Sequence, residues 1–139
     1  MAREYTRAIL QLSCDHRFVA GVGGALAYFA ERAGLEEGCR QSLCAAIEEF
    51  CLDSLPSIHE AREVLDVAIE DFDDRIEIVI QHCDQVAANG RYGAPLRTAK
   101  TQHAPQSSTL RRLAQVADRI ERSNCEGRIR TTVIKFLPS

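Results

Sequence analysis

Two runs of alternating aliphatic residues, Leu65, Val67, Ile69 and then Ile76, Ile78, Ile80, meet across the acidic pair Asp73-Asp74. A period of two puts all six side chains on one face of an extended chain. With a turn at the two aspartates, the spacing predicts an antiparallel hairpin buried on one side. A one-sided sheet must be covered by elements that are themselves apolar along one side, and this limits what the remaining segments can be.

Two segments offer such a side. Leu43, Ile47, Phe50 and Cys51 fall at i, i+4, i+7 and i+8, the stripe of a half-buried helix. That helix opens at Glu36 and ends before Pro56, which lacks the amide hydrogen that a continuing helix needs. Upstream, Asp15 is placed to cap a helix running to about Ala33, with Phe18, Val22, Leu26, Phe29 and Ala30 as its stripe and Gly34 as its stop. Gly21, Gly23 and Gly24 lie inside this stripe and do not form GxGxxG, so close contact with a neighbouring element accounts for them better than phosphate binding. Residues 6 to 12 read as a first strand. Ser107 or Ser108 can cap a third helix carrying Leu110, Leu113, Ala114 and Ala117. A last hairpin turns at Asn124-Cys125-Glu126-Gly127, and its final strand runs from Ile129 to Leu137.

Strands and helices therefore segregate. The economical arrangement is an α+β two-layer sandwich, with a mixed, mostly antiparallel sheet and the helices on one face. At 139 residues it is a single domain, 1–139. Between 83 and 108 the periodicity collapses around Asn89-Gly90, Gly93, Pro95 and Pro105, with basic Arg91, Arg97 and Lys100. A structureless stretch of that length is either a lid over a site or a plain insertion.

Composition excludes several classes. A net charge of −3 with scattered arginines argues against direct nucleic-acid binding. The longest apolar run, Phe18 to Ala30, is too short for a bilayer and contains three glycines, so no membrane span is expected. The first residues lack the basic start and apolar core of a secretion signal, which implies a cytoplasmic, reducing compartment and six cysteines held as thiols. Cys14-Asp15-His16, Cys39/Cys44 and His82-Cys83-Asp84 offer zinc-type donors, but no CxxC is present and i, i+5 cysteines diverge around a helix.

One pair of residues carries possible chemistry. Glu49 and Asp53 are one turn apart on the second helix, so both carboxylates point the same way. Like charges so placed repel unless a cation or a protein donor lies between them. They suit a metal ion or an activated water, or else an ordinary acidic face.

With these elements in order, the chain resembles the GHKL (Bergerat-fold, histidine-kinase-like) ATPases, and among them the small anti-sigma-factor serine kinases of bacterial partner-switching systems. Four segments carry the resemblance: Glu49-Phe-Cys-Leu-Asp53 for the family's Glu-x-x-x-Asn, the strand Ile76 to His82-Cys-Asp84 for the adenine-reading segment, Ser107-Ser-Thr-Leu110 through Ile120 for the Gly-x-Gly-Leu helix, and Gly127-Arg-Ile-Arg-Thr-Thr-Val133 for the closing strand. It covers nearly the whole chain. The resemblance implies binding of ATP and magnesium, with Glu49 or its neighbour Glu48 as general base and Asp53 on the metal. His82 or Asp84 would read adenine, and Ser107, Ser108, Thr109 and Leu110 would lie along the phosphates. It further implies phosphorylation of Ser or Thr on an anti-anti-sigma (antagonist) protein, a sigma factor as the regulated partner, and homodimer formation.

The departures gather where the nucleotide would sit. Asp53 stands for Asn, His82 for the adenine-reading Asp, and Ser107-Ser108-Thr109 for the lid glycines. Unpaired polar groups at such positions would each weaken binding by about 1 to 3 kcal/mol. The alternative implied is a degenerate, nucleotide-poor member that binds proteins without kinase activity.

Overall fold

The computed structural model describes residues 5–13, 16–54, 64–83 and 108–138. In chain order these form β1 (Thr6–Ser13), a 3-10 turn (His16–Phe18), α1 (Val19–Arg32), α2 (Glu37–Ser54), β2 (Val64–Asp71), β3 (Arg75–Cys83), α3 (Ser108–Val116), β4 (Arg119–Cys125) and β5 (Arg128–Phe136). The strands make one five-stranded sheet in the order β1-β2-β3-β5-β4. The architecture is an α+β sandwich. All four strand pairings are antiparallel, so the expected mixed character is corrected among the described residues. Every strand junction in the sheet is then either a hairpin or a return of opposite direction, and no parallel crossover is needed.

β3 lies at the centre of the sheet, and its inward residues Ile76, Ile78 and Ile80 are fully buried. Its flanking strands present Leu65, Val67, Ile69 and Val133 to the same side. Val22, Leu26 and Phe29 of α1, Leu43, Ile47 and Phe50 of α2, and Leu113 of α3 complete one continuous core with them. Burying each such side chain contributes about 1.5 to 3 kcal/mol. That sum, opposed mainly by chain entropy, holds the helices on one face.

Local signals set the boundaries. Gly34 has φ +87°, Leu35 N–H donates to Ala30 O at 3.0 Å and Gly34 N–H to Glu31 O at 3.1 Å, a left-handed stop closing α1 as its glycine implied. Arg40 N–H donates to Glu36 O, which makes Glu36 the N-cap and Glu37 the first helical residue of α2. Asp73 and Asp74 form the β2–β3 turn, which Arg75 braces by stacking over Phe72 and bonding Glu77.

Four expectations need correction. Phe18 is 51% exposed, because it lies in the 3-10 turn before α1 and so falls off the helical stripe. Gly21 and Gly24 have open space around them, so close contact explains only Gly23, where a Cβ would overlap the Glu48 carboxylate. The third helix stops at Val116 and does not reach Ile120. Asp118 N–H donates to Ile134 O and its carboxylate accepts from Phe136 N–H at 2.7 Å, which turns the chain into β4. Ala114 is exposed, since only Leu113 of that turn faces inward. The proposed Asp15 cap and most of the 83–108 loop lie outside the described residues.

The β4–β5 hairpin turns through Glu126 (φ 54°) and Gly127 (φ 81°), a two-residue loop that needs positive φ at both places. A side chain other than Gly or Asn is disfavoured there by about 1 kcal/mol. Glu126→Asn should therefore raise stability by roughly 0.5 to 1 kcal/mol, and Gly127→Ala should lower it by about the same or more. Urea unfolding at constant m-value reads both changes.

Candidate functional site

α2 has three working sides. Its apolar stripe faces the sheet, and with Leu43, Ile47 and Cys51 fully buried its rotation about its own axis is fixed. The polar residues are aimed by that rotation. Glu48 is directed at α1, where a Cβ on residue 23 would overlap its carboxylate and make the end of that side chain shift. Glu49 and Asp53 are directed at α3.

α3 meets them with matched residues. Arg112 Nη1 donates to both oxygens of Glu49, 2.7 Å from Oε2, and the Thr109 hydroxyl donates to Asp53 Oδ2 at 2.9 Å. The pairing of 49 with 112 and 53 with 109 makes α2 and α3 antiparallel. The repulsion expected between two like charges one turn apart is thus relieved from a neighbouring helix, by one guanidinium and one hydroxyl.

The other candidate residues lie close by. His82, on the inner face of β3, meets the ring of Phe50 edge-on at 6.4 Å between centroids. Arg122 of β4 stands over the Phe50 ring, 6.0 Å from its centroid, and its Nε donates to the buried Thr131 hydroxyl at 3.1 Å. Ser108 is exposed at the start of α3, and Leu110 is half-buried against the core. Asp84 and Ser107 lie outside the described residues. Glu49, Asp53, His82, Thr109 and Leu110 are therefore gathered around the C-terminal half of α2, whereas Glu48 points away toward α1.

Sequence reading missed Arg112, Arg122 and Thr131. A signal for Arg112 exists: Thr109 and Arg112 at i, i+3 on one helix mirror Asp53 and Glu49 at i, i+4 on another. Nothing in sequence spacing brings Arg122 over Phe50, because that contact depends on β4 being paired with β5.

Among the described residues no group of three or more His, Cys, Asp or Glu could hold a metal ion. Asp53 is engaged by Thr109, and Glu49 is already neutralised by Arg112. Comparison with protein-family models finds no match, and comparison with curated proteins finds none either. No helix among the described residues is long and apolar enough to cross a membrane.

Magnitudes rank the forces on α3. Arg112 and Glu49 are 57% and 38% exposed, so their ion pair contributes about 0.2 to 1 kcal/mol and is weakened by salt. Leu113, fully buried, contributes about 1.5 to 3 kcal/mol. Burial docks α3, and the polar ties fix its angle. Arg112→Ala should accordingly lower stability by no more than about 1 kcal/mol, with a smaller effect in high salt, while Leu113→Ala should lower it by about 2 kcal/mol or more. A double-mutant cycle over Glu49 and Arg112 should return a coupling below about 1 kcal/mol.

Cys39, Cys44 and Cys51 are free thiols. The Cys51 thiol is pushed up from 9.0 to about 12, first by burial and then by the Glu48 carboxylate. The folded state thus keeps the proton after the unfolded chain has lost it. Stability from this group is complete below about pH 9 and falls as pH rises toward about 12. Cys51→Ala should flatten that alkaline decline in a pH series of thermal melts, even though the variant is less stable at neutral pH.

Proposed function

We propose that this chain is a cytoplasmic, protein-binding regulatory module, similar in plan to the anti-sigma-factor kinases of partner-switching systems but working without phosphoryl transfer. Its partners would be a sigma factor or the antagonist protein that competes for it, and regulation would come from occupancy of a surface.

One observation carries this reading: both acids that the resemblance assigns to catalysis and metal binding are engaged by α3. A general base must be within hydrogen-bond reach of the proton it removes, and Glu49 instead accepts from Arg112. Asp53, the expected metal ligand, has its Oδ2 directed at α3, where it accepts from the Thr109 hydroxyl. Thr109 and Leu110, which would line the phosphates, are turned toward α2 and the core. Protein binding requires none of these groups to be free. Free thiols at Cys39, Cys44 and Cys51 are in keeping with a reducing compartment.

Calorimetric titration of ATP with excess magnesium tests the proposal. No heat and no thermal shift at millimolar nucleotide are expected. Micromolar binding that weakens in Asp53→Ala would overturn it in favour of an ATP-dependent protein kinase, with Arg112 then acting as a movable counter-ion to Glu49.

A further inference from the structure

Within the helix layer, α3 is the element held by the least burial. Six residues of α1 and five of α2 are buried, whereas Leu113 is the single buried residue among the nine of α3. Ser108, Arg111, Arg112, Ala114 and Gln115 are exposed, and Leu110 and Val116 reach only the rim of the core. Its main neighbour is α2, to which Arg112 and Thr109 tie it through Glu49 and Asp53. Beyond its last turn the chain is fixed to the sheet by other groups. Asp118 N–H donates to Ile134 O at 2.9 Å, and the Asp118 carboxylate accepts from Phe136 N–H at 2.7 Å and faces Lys135 Nζ at 3.6 Å. No strand pairing of the sheet passes through α3.

We infer that α3 is a latch: it leaves α2 as one unit about a hinge at Ala117, while α1, α2 and the sheet stay folded, and Glu49 and Asp53 are released only in that open state. Opening exposes one buried side chain and polar ties that already face water, whereas global unfolding exposes the whole core. A helix of nine residues is too short to persist once detached, so the chain entropy of the entire segment is recovered in one step. Local opening therefore costs less than global unfolding. Any outside group that engages Glu49 and Asp53 must displace Arg112 and Thr109 of the same chain, and its apparent affinity is reduced by the fraction of molecules that are open. The contact between α3 and α2 is thus autoinhibitory, whichever partner the chain binds, and the inference does not depend on the regulatory reading.

Native-state hydrogen exchange of the full chain in low urea tests it. The amides of residues 112 to 117 should share one opening, with about a hundredfold less protection than those of β3 and a weaker dependence on urea. Arg112→Ala should lower the protection of α3 by up to about fivefold, and Leu113→Ala by about thirtyfold. Ile69→Val acts elsewhere, removing one core methyl group from β2 where that strand packs under α1. It should lower the protection of β3 by roughly fivefold and leave that of α3 unchanged. Equal protection and equal urea dependence in α3 and β3 would overturn the inference. So would a fall in α3 protection with Ile69→Val, or α3 amides that open one by one from an end of the helix.

Discussion

Everything in this structure depends on the burial of one face of β3. Ile76, Ile78 and Ile80 occupy the middle of a five-stranded sheet and have no exposure, so the helices must lie where they cover them. The non-directional hydrophobic term sets the two-layer architecture, and directional interactions then refine it. The opposite face of the same strands carries Glu77 and Gln81 beside the Asp66–Arg128 ion pair, consistent with a sheet covered by helices on one side.

The same constraint explains how the acidic cluster of α2 acquired its neighbours. Once Leu43, Ile47 and Cys51 are turned into the core, Glu48 can only face α1, and Glu49 and Asp53 can only face α3. Gly23 is the complementary adaptation on α1. Arg112 and Thr109 are the adaptation on α3. None of these contacts is strong by itself, but together they specify one angle between helices that burial alone would leave loose.

Much of this was legible in the chain. Period-two runs at 65–69 and 76–80 gave the central hairpin, and the stripe at 43, 47, 50 and 51 gave the buried side of α2, because those patterns are local consequences of strand and helix geometry. Gly34 and the Glu126-Gly127 pair marked a stop and a turn for an equally local reason, positive φ. Phe18 misled because a 3-10 turn changes the angular step between side chains, and helical spacing no longer applies across it. The end of α3 misled because it is fixed by hydrogen bonds from Asp118 to β5, sixteen and eighteen residues onward.

The candidate site divides along the same line. The sequence by itself determined that Glu49 and Asp53 share a side of a helix and that their charges need a partner, since a turn of helix is a fixed geometry. Only the tertiary structure decided that the partners are Arg112 and Thr109, and that His82 and Arg122 both meet the Phe50 ring. Those contacts join residues tens of positions apart, and their distances are set by how the helices seat on the sheet, a property of the assembled core that no local spacing encodes.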